Sequence, residues 1–390
     1  MTSEDKHQKH VALSRPANGE FGRNELAIMG APCPVIQDLV RDLADILADR
    51  YSLAFLDQDH GAGSRAISDG SIDQRHARLN MTDKIQFHRI DTFRPLSSFD
   101  KRAILKQEDL ILVNGNHFQA QSQVLIIDPA KDLSKKLDRL SNVKLILYRD
   151  RSISLPDVVK NHLSDWQTIP SFFVEETHEI ASWISQWMEQ QVPPVTGLVL
   201  AGGQSKRMKK DKGELVYYEK DQRSHMMDMM GQVCRRSFLS CNARQVDLLK
   251  NKFPIIQDTF LDLGPMSGIL SAFRFDPNSA WLTVACDLPY LSATTLQYLI
   301  AHRNPSKVAT VFLDPKGEFP EPLVTLWEPR AYSVMLDYLS QGYSCPRKVL
   351  INTEVEILTA PDSGEFFNVN FPEEYKEVRK ELKVGSKRKG

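Results

Sequence analysis

Short apolar runs alternate with helical periodicities along almost the whole chain. In the first half, the runs at 26–30, 53–57, 84–90, 109–115, 123–128, 144–150 and 170–174 have the length and composition of buried strands. Between them, 35–50, 131–141, 154–164 and 175–190 carry apolar residues at helical spacing. The second half repeats the style. Strands are predicted at 197–201, 237–241, 254–257, 281–286, 307–313, 322–327 and 354–358. Helices are predicted at 224–235, 244–251, 267–274, 292–303, 329–341 and from 372 to about 383. Continuously apolar strands alternating with helices predict an α/β fold with mostly parallel sheets covered on both faces.

A chain of 390 residues is long enough for two such domains. The break falls at QQVPPVTG, 190–197, where two prolines follow an amphipathic helix and a new strand starts at once. The expected domains are therefore 20–191 and 195–383, each a mostly parallel sheet flanked by helices. Hydrophobic content of 42% and charged content of 25% describe a soluble globular chain. A formal net charge of −1 leaves no electrostatic footprint for nucleic acid. No apolar run approaches the roughly 20 residues that cross a bilayer, so no membrane partner is expected. The first ten residues, MTSEDKHQKH, lack the apolar core of a signal peptide. The five cysteines are scattered, with no C-x-x-C pair, which argues for reduced thiols in a cytoplasm and against a zinc site. The basic end VGSKRKG is expected to be disordered.

The stretch richest in chemistry is TGLVLAGGQSKRMKKDKGEL, 196–215. A buried strand ending at Leu200 and Ala201 runs into Gly202 and Gly203, where the missing Cβ permits a sharp turn and close backbone approach to a ligand. Ser205, Lys206, Arg207, Lys209, Lys210 and Lys212 then gather hydroxyl and cationic donors. Strand, glycine turn and cationic segment suit a triphosphate. A tight turn before a solvated basic face is the blander account, and the full string outweighs it.

The string resembles the signature L-A-G-G-x-S-x-R-M-G-x-D-K of molybdenum cofactor guanylyltransferases, nucleotidyltransferases built on one Rossmann-like sheet. Leu200, Ala201, Gly202, Gly203, Ser205, Arg207, Met208, Asp211 and Lys212 match position for position. Lys209 replaces a glycine, which would cost roughly 1–2 kcal/mol if the backbone there is left-handed. Other segments extend the likeness. WLTVACDLPYL, 281–291, ends a strand on Asp287 and resembles the family's C-D-x-P, whose Asp binds the metal, so the resemblance assigns Mg2+ to Asp287. LDLGPMSGILSAF, 261–273, resembles its G-P-L-x-G near the guanine, with Gly264 and Gly268 allowing close approach and Pro265 stiffening the loop. Asn242 and Asp258 stand where the family places further nucleotide contacts, and either could instead be a strand-end cap; their amide and carboxylate suit the donor and acceptor edge of guanine. Asn368 and Asn370 in EFFNVNFPEEY, 365–375, resemble N-V-N-T-P-E-E, and Arg347 and Lys348 in SCPRKVLI join them on the pterin side. A solvated basic turn accounts for those two cations nearly as well. PEPL, 320–323, also resembles a substrate-side segment, with no residue role attached.

The resemblance implies transfer of GMP from GTP to the terminal phosphate of molybdenum-molybdopterin, releasing pyrophosphate. Molybdoenzymes or their chaperones would receive the product. A phosphate monoester with a second pKa of about 6 arrives already ionised, so no general base is needed. Positioning and charge neutralisation by Arg207, Lys212 and a Mg2+ on Asp287 carry the expected catalysis. Cytidylyl or other nucleotidyl transfer stays open, as does a non-catalytic nucleotide-binding scaffold. The second glycine of LAGG favours guanine, because cytidylyl relatives typically show L-A-A-G.

The first half resembles the P-loop partner protein of molybdopterin-guanine dinucleotide synthesis over roughly 20–190, with a degenerate P-loop. G-x-x-x-x-G-K-[ST] is reduced to GAPCPVIQD. Gly30 remains, while the second glycine, the lysine and the hydroxyl are gone and two prolines remove N–H donors. No GTPase activity is expected there, and Asp57, Asp59 and His60 read as remnants of a site or, in the preferred account, simply as polar residues at a strand end.

Overall fold

A computed structural model of the chain describes residues 12–58, 79–201 and 211–388, with side chains as far as 382. Two compact units emerge, Asn18–Gln191 and Val192–Gly390, with the residues up to Ala17 belonging to the second. Ser14 and Ala17 there hydrogen-bond to Phe275 and Asn278.

The first unit runs β1 (Glu25–Met29), α1 (Cys33–Leu47), β2 (Leu53–Leu56), β3 (Leu79–Asp83), β4 (His88–Thr92), α2 (Ser98–Leu105), β5 (Leu110–Asn114), β6 (Ser122–Ile127), β7 (Val143–Tyr148), α3 (Asp157–His162), β8 (Ser171–Phe173) and α4 (Thr177–Gln190). Among the described residues, six strands form one parallel sheet in the order β2-β5-β1-β6-β7-β8. Alternation along β1 explains the layers. Leu26 and Ile28 pack with Ile36, Leu39, Leu43 of α1 and Ile180, Ile184 of α4. Ala27 faces the other way, toward Phe21, Ile111 and Val113.

Two expectations fail here. The run at 84–90 is not one strand but the turn and second arm of the antiparallel β3–β4 hairpin, closed by Lys84 N–H donating to Phe87 O at 2.9 Å. Its apolar residues mislead because they are exposed, Ile85 by 97% and Phe87 by 61%. The helix expected at 131–141 is a 3-10 turn, Ser134–Arg139, with Lys136 off helical geometry. Asp132 accepts from the Ser134 N–H and hydroxyl, a local alternative to α-helical bonding. Helix α2 has no counterpart in the apolar periodicity; a Ser97–Asp100 capping box starts it.

The second unit runs β9 (Val195–Leu200), α5 (Gln222–Val233), β10 (Ser237–Cys241), α6 (Val246–Leu249), β11 (Ile255–Gln257), α7 (Pro265–Phe275), β12 (Ala280–Ala285), α8 (Ala293–Ala301), β13 (Ala309–Leu313), β14 (Pro320–Trp327), α9 (Arg330–Ser340), α10 (Pro346–Ile351), β15 (Glu356–Leu358) and α11 (Pro372–Arg388). Among the described residues its seven strands order as β11-β10-β9-β12-β14-β13-β15, and β14 alone runs antiparallel to its neighbours. Cores lie on both faces. Met226 and Met230 of α5 join Leu296 and Leu299 of α8 on one, and Ile269 and Phe273 of α7 meet Ala331 and Met335 of α9 on the other. The residues 346–351, which hold the two cations that a solvated basic turn could also explain, form α10 with Pro346 in its first turn. The basic end is not wholly irregular, because α11 continues to Arg388.

One ion pair ties the edge of this unit together. Arg303 Nε and Nη2 donate to Glu328 at 2.6 and 2.7 Å, and Nη1 donates to Pro193 O at 2.7 Å, with the Glu328 side chain 1% exposed. Arg303→Leu removes the bidentate partner of a buried carboxylate, at a cost of about 3–5 kcal/mol. A denaturant midpoint equal to the parent's would show that the pair contributes nothing.

Candidate functional site

Parallel neighbours β10, β9 and β12 end together, and the residues that leave their carboxyl ends converge at one edge of the sheet. That edge is where open α/β sheets bind ligands. Asp287 emerges just past β12, and Lys212 follows β9 after residues 202–210. Lys212 Nζ donates to Asp287 Oδ2 at 2.8 Å and to Asn370 Oδ1 at 2.7 Å. The second of the two asparagine positions is set by Glu374, whose Oε2 accepts from the Asn370 and Phe371 N–H groups at 2.7 and 3.0 Å. Val369 N–H donates to Asp287 O at 3.0 Å, so the 368–370 segment is stitched to the end of β12.

Asp287 Oδ1 and Asn368 Oδ1 are both buried without a hydrogen-bond partner. An orphaned carboxylate oxygen with an amide oxygen on the adjoining segment is a hard donor set, and it suits a divalent cation completed by phosphate oxygens. No cluster of three or more His, Cys, Asp and Glu side chains with metal-binding geometry occurs among the described residues. Such an ion would therefore lean on Asp287 and on its substrate.

Gly202, Gly203, Ser205, Lys206, Arg207, Met208, Lys209 and Lys210 lie outside the described residues, as do Asp59 and His60 of the first unit. The residues flanking 202–210 are firmly tied. Ala201 is buried, its N–H donating to Ser240 O. Asp211 accepts from Gly213 N–H at 3.0 Å and pairs with Arg223 Nη2 at 3.0 Å. Gln245 Nε2 donates both to Ala201 O at 3.3 Å and to Asp211 Oδ2 at 2.9 Å, while its Oε1 accepts from Asn242 N–H. One glutamine thus binds both flanks of the glycine-lysine string. Nothing local in the sequence signals that role, nor that of the buried Arg223. Asn242 itself is used in a strand-end turn, its Oδ1 accepting from Arg244 N–H at 3.0 Å.

Asp258 follows β11 and accepts from Ser240 Oγ at 2.7 Å. Burial pushes its carboxyl up to about 6, only partly countered by the Ser240 bond. Gly264 caps α7 at φ 58°, a left-handed conformation that disfavours a side chain, and Pro265 opens the helix. Gly268 is needed for a different reason from the expected one. A Cβ there would lie 2.4 Å from Ser240 Oγ and 2.8 Å from Leu200 Cδ2, so the missing methyl lets α7 press on the sheet rather than admit a ligand.

The two cations of α10 part company. Arg347 Nη2 comes within 3.7 Å of the Glu321 carboxylate, whereas exposed Lys348 places Nζ 5.2 Å from the ring centroid of Tyr343. Glu321, in PEPL, is buried. Burial pushes its carboxyl up, Leu323 N–H and Arg347 pull it down, and Asp314 and Asp287 push it up further. Its approach to Arg347 joins β14 to α10, and the sequence offers PEPL as a segment but no reason to single out its glutamate.

An open, largely parallel sheet with a lysine–aspartate pair at its strand ends is an arrangement that a nucleotidyltransferase domain can use. A profile described as the MobA-like NTP transferase domain matches residues 197–355. The chain also shares 30% identity over 191 residues with a molybdenum cofactor guanylyltransferase of Xanthomonas euvesicatoria, covering 47% of this chain and 93% of that one. The chain belongs to the MobA-like NTP transferase family. It is 34% identical over 187 residues to the "Molybdenum cofactor biosynthesis bifunctional protein" of Synechocystis sp., covering 47% of this chain and only 54% of that protein. A crystal structure of molybdopterin-guanine dinucleotide biosynthesis protein A from Archaeoglobus fulgidus aligns with 48% of this chain and 99% of its own, at 19% identity and TM-score 0.41. No described helix is long and apolar enough to cross a membrane.

Gly268→Ala tests the packing at the base of the site. Overpacking against Ser240 and Leu200 should cost about 1–3 kcal/mol, read as a lowered unfolding midpoint. An unchanged midpoint would mean that α7 has room the geometry denies.

Proposed function

We propose that the second unit transfers GMP from GTP to the terminal phosphate of molybdenum-molybdopterin, releasing pyrophosphate. The observation that carries this reading is the Lys212–Asp287–Asn370 constellation beside an orphaned Asp287 oxygen, at strand ends that continue into LAGGQSKRMKKDK. The names of the relatives support the guanine and the molybdenum pterin.

In this reading Lys212 leaves Asp287 and Asn370 for the triphosphate, and Arg207 adds a second positive charge. Asp287 Oδ1 and Asn368 Oδ1 would hold a divalent ion, Mg2+ in our proposal, which neutralises charge on the phosphates. Leu200 and Ala201 are the strand end over which the nucleotide lies, and Gly202 and Gly203, the next residues of the string, bind it with them in this reading. Asn242, Asp258, Gly264 and Pro265 line the base side. Arg347 with Asn368 and Asn370 lines the acceptor side, and Lys348 contributes only if it leaves Tyr343. The acceptor phosphate is already a dianion at neutral pH, so the residues position and neutralise rather than remove a proton.

Titration of the full chain with GTP, CTP and ATP in Mg2+, followed by a turnover assay with molybdenum-loaded pterin, tests the proposal. GTP should bind selectively, and Lys212→Ala should lose that binding. Asp287→Ala should cut turnover by about two orders of magnitude or more while the fold persists. CTP preference would move the function to cytidylyl transfer. Binding of none of the three would leave a scaffold.

Asp258 gives a pH signature. Its folded carboxyl holds a proton to higher pH than the unfolded one, so its contribution to stability is lost as pH rises through about 6. An N–H donor from the base recovers that loss by meeting the ionised carboxylate. The GTP-over-ATP affinity ratio should therefore rise between pH 5 and pH 7, and Asp258→Asn should flatten it. A parent ratio independent of pH removes Asp258 from the base site.

A further inference from the structure

The carboxyl edge of the first unit's sheet holds chemistry that nucleotidyl transfer does not use. Cys33 is the first residue of α1, half-buried, at the carboxyl end of β1. Its Sγ lies 3.3 Å from His117 Nε2, in the connection after β5, and Asn116 Nδ2 donates to it at 3.6 Å. Asn116 is itself fixed by a bond to Ala31 O at 2.9 Å. Asp57, past the end of β2, accepts from Asn114 Nδ2 at 2.7 Å and from Gln37 Nε2 at 2.6 Å. Burial opposes ionisation of Asp57, but the bonds from Gln37, Gln58 and Asn114 and the charge of His117 outweigh it, holding the carboxyl below its ordinary value. Three strand ends thus gather a thiol, an imidazole and a carboxylate at one edge of a parallel sheet. A thiol within reach of an imidazole is the pairing of nucleophile and base that activates a weak nucleophile.

We propose that Cys33 is a nucleophilic thiol that exchanges with low-molecular-weight disulfides, with His117 as its proton acceptor. His117 takes the Sγ proton as Sγ attacks one sulfur of R–S–S–R. A Cys33–S–S–R bond forms, the S–S bond of the reagent breaks, and the departing thiolate recovers the proton from the imidazolium as RSH. No other oxidant is required. The partial positive charge at the start of α1 favours negative charge developing on the attacking sulfur.

The backbone argues against acyl chemistry at the same thiol. Pro34 has no N–H, and the Val35 and Ile36 N–H groups already donate to Pro32 O at 3.0 and 3.3 Å. The first turn of α1 therefore offers no pair of donors to a tetrahedral oxyanion, whereas displacement at sulfur develops none. Cys234, Cys241, Cys286 and Cys345 all belong to the second unit, so the first unit has no resolving cysteine.

The exposed Cys345 is the internal control. The full chain is incubated with glutathione disulfide across pH 6–9, quenched, and mapped by peptide mass. At neutral pH Cys33 should acquire the adduct about tenfold or more faster than Cys345 despite its lower exposure, and His117→Gln should remove that advantage. The parent Cys33 rate should depend less steeply on pH than that of Cys345, because His117 rather than hydroxide takes the thiol proton. Cys345 reacting as fast as Cys33, a His117→Gln rate equal to the parent's, or a Cys33 rate climbing steadily like that of an unassisted thiol would each overturn the proposal.

Discussion

Lys212 and Asp287 are only 17% and 15% exposed, and neither charge could sit so far out of water without the other. Their pairing dictates much of what surrounds it. It requires β9 and β12 to be neighbours, so that the segment leaving one can reach the residue leaving the other. It also requires the 368–370 segment to close over the end of β12, which the Val369–Asp287 backbone bond accomplishes. A further ring of bonds, Glu374 on Asn370 and Gln245 on Ala201 and Asp211, holds these parts in register. In the ligand-free chain the lysine neutralises the aspartate. An incoming triphosphate with its cation can replace both halves of that pair without leaving either charge buried alone.

Much of this is legible in the sequence because it obeys local rules. Continuous apolar runs mark β1, β5, β6, β9 and β12, and the prolines at 193–194 mark the passage between the units. The glycine-lysine string and the strand-ending Asp287 stand out by spacing, helped by a family resemblance. The hairpin at 79–92 escapes because its apolar residues face solvent, reversing the rule that reads them as core. The 3-10 turn escapes because one aspartate–serine contact outweighs helical periodicity. Gln245, Arg223 and Glu321 escape for a different reason. Each acts through partners distant in sequence, and a glutamine that joins positions 201 and 211 resembles any other glutamine until the strands are laid side by side.

Gly268 is the instructive intermediate. Its segment stands out in the sequence, and the close approach expected of both glycines divides between them: Gly264 carries the positive φ, and Gly268 the tight packing. Gly268 serves the close approach of α7 to Leu200 and Ser240, and Ser240 in turn holds Asp258. A packing requirement on one glycine is thereby transmitted to the carboxylate beside it.

The two units share an architecture and differ in how the first strand of each is joined to its first helix. In the second, a long cationic stretch separates β9 from α5. In the first, Gly30, Ala31 and Pro32 are the whole connection between β1 and α1. Three residues cannot make the eight-residue wrap of a phosphate loop, and prolines at 32 and 34 withdraw two of the N–H groups that such a loop would present. The same shortness has a consequence of the opposite sign. It carries the first side chain of α1 directly to the sheet edge, and that side chain is a cysteine facing a histidine. A helix start too poor in free backbone donors to cradle a phosphate remains suited to a thiol, whose chemistry needs a neighbouring base and no cradle.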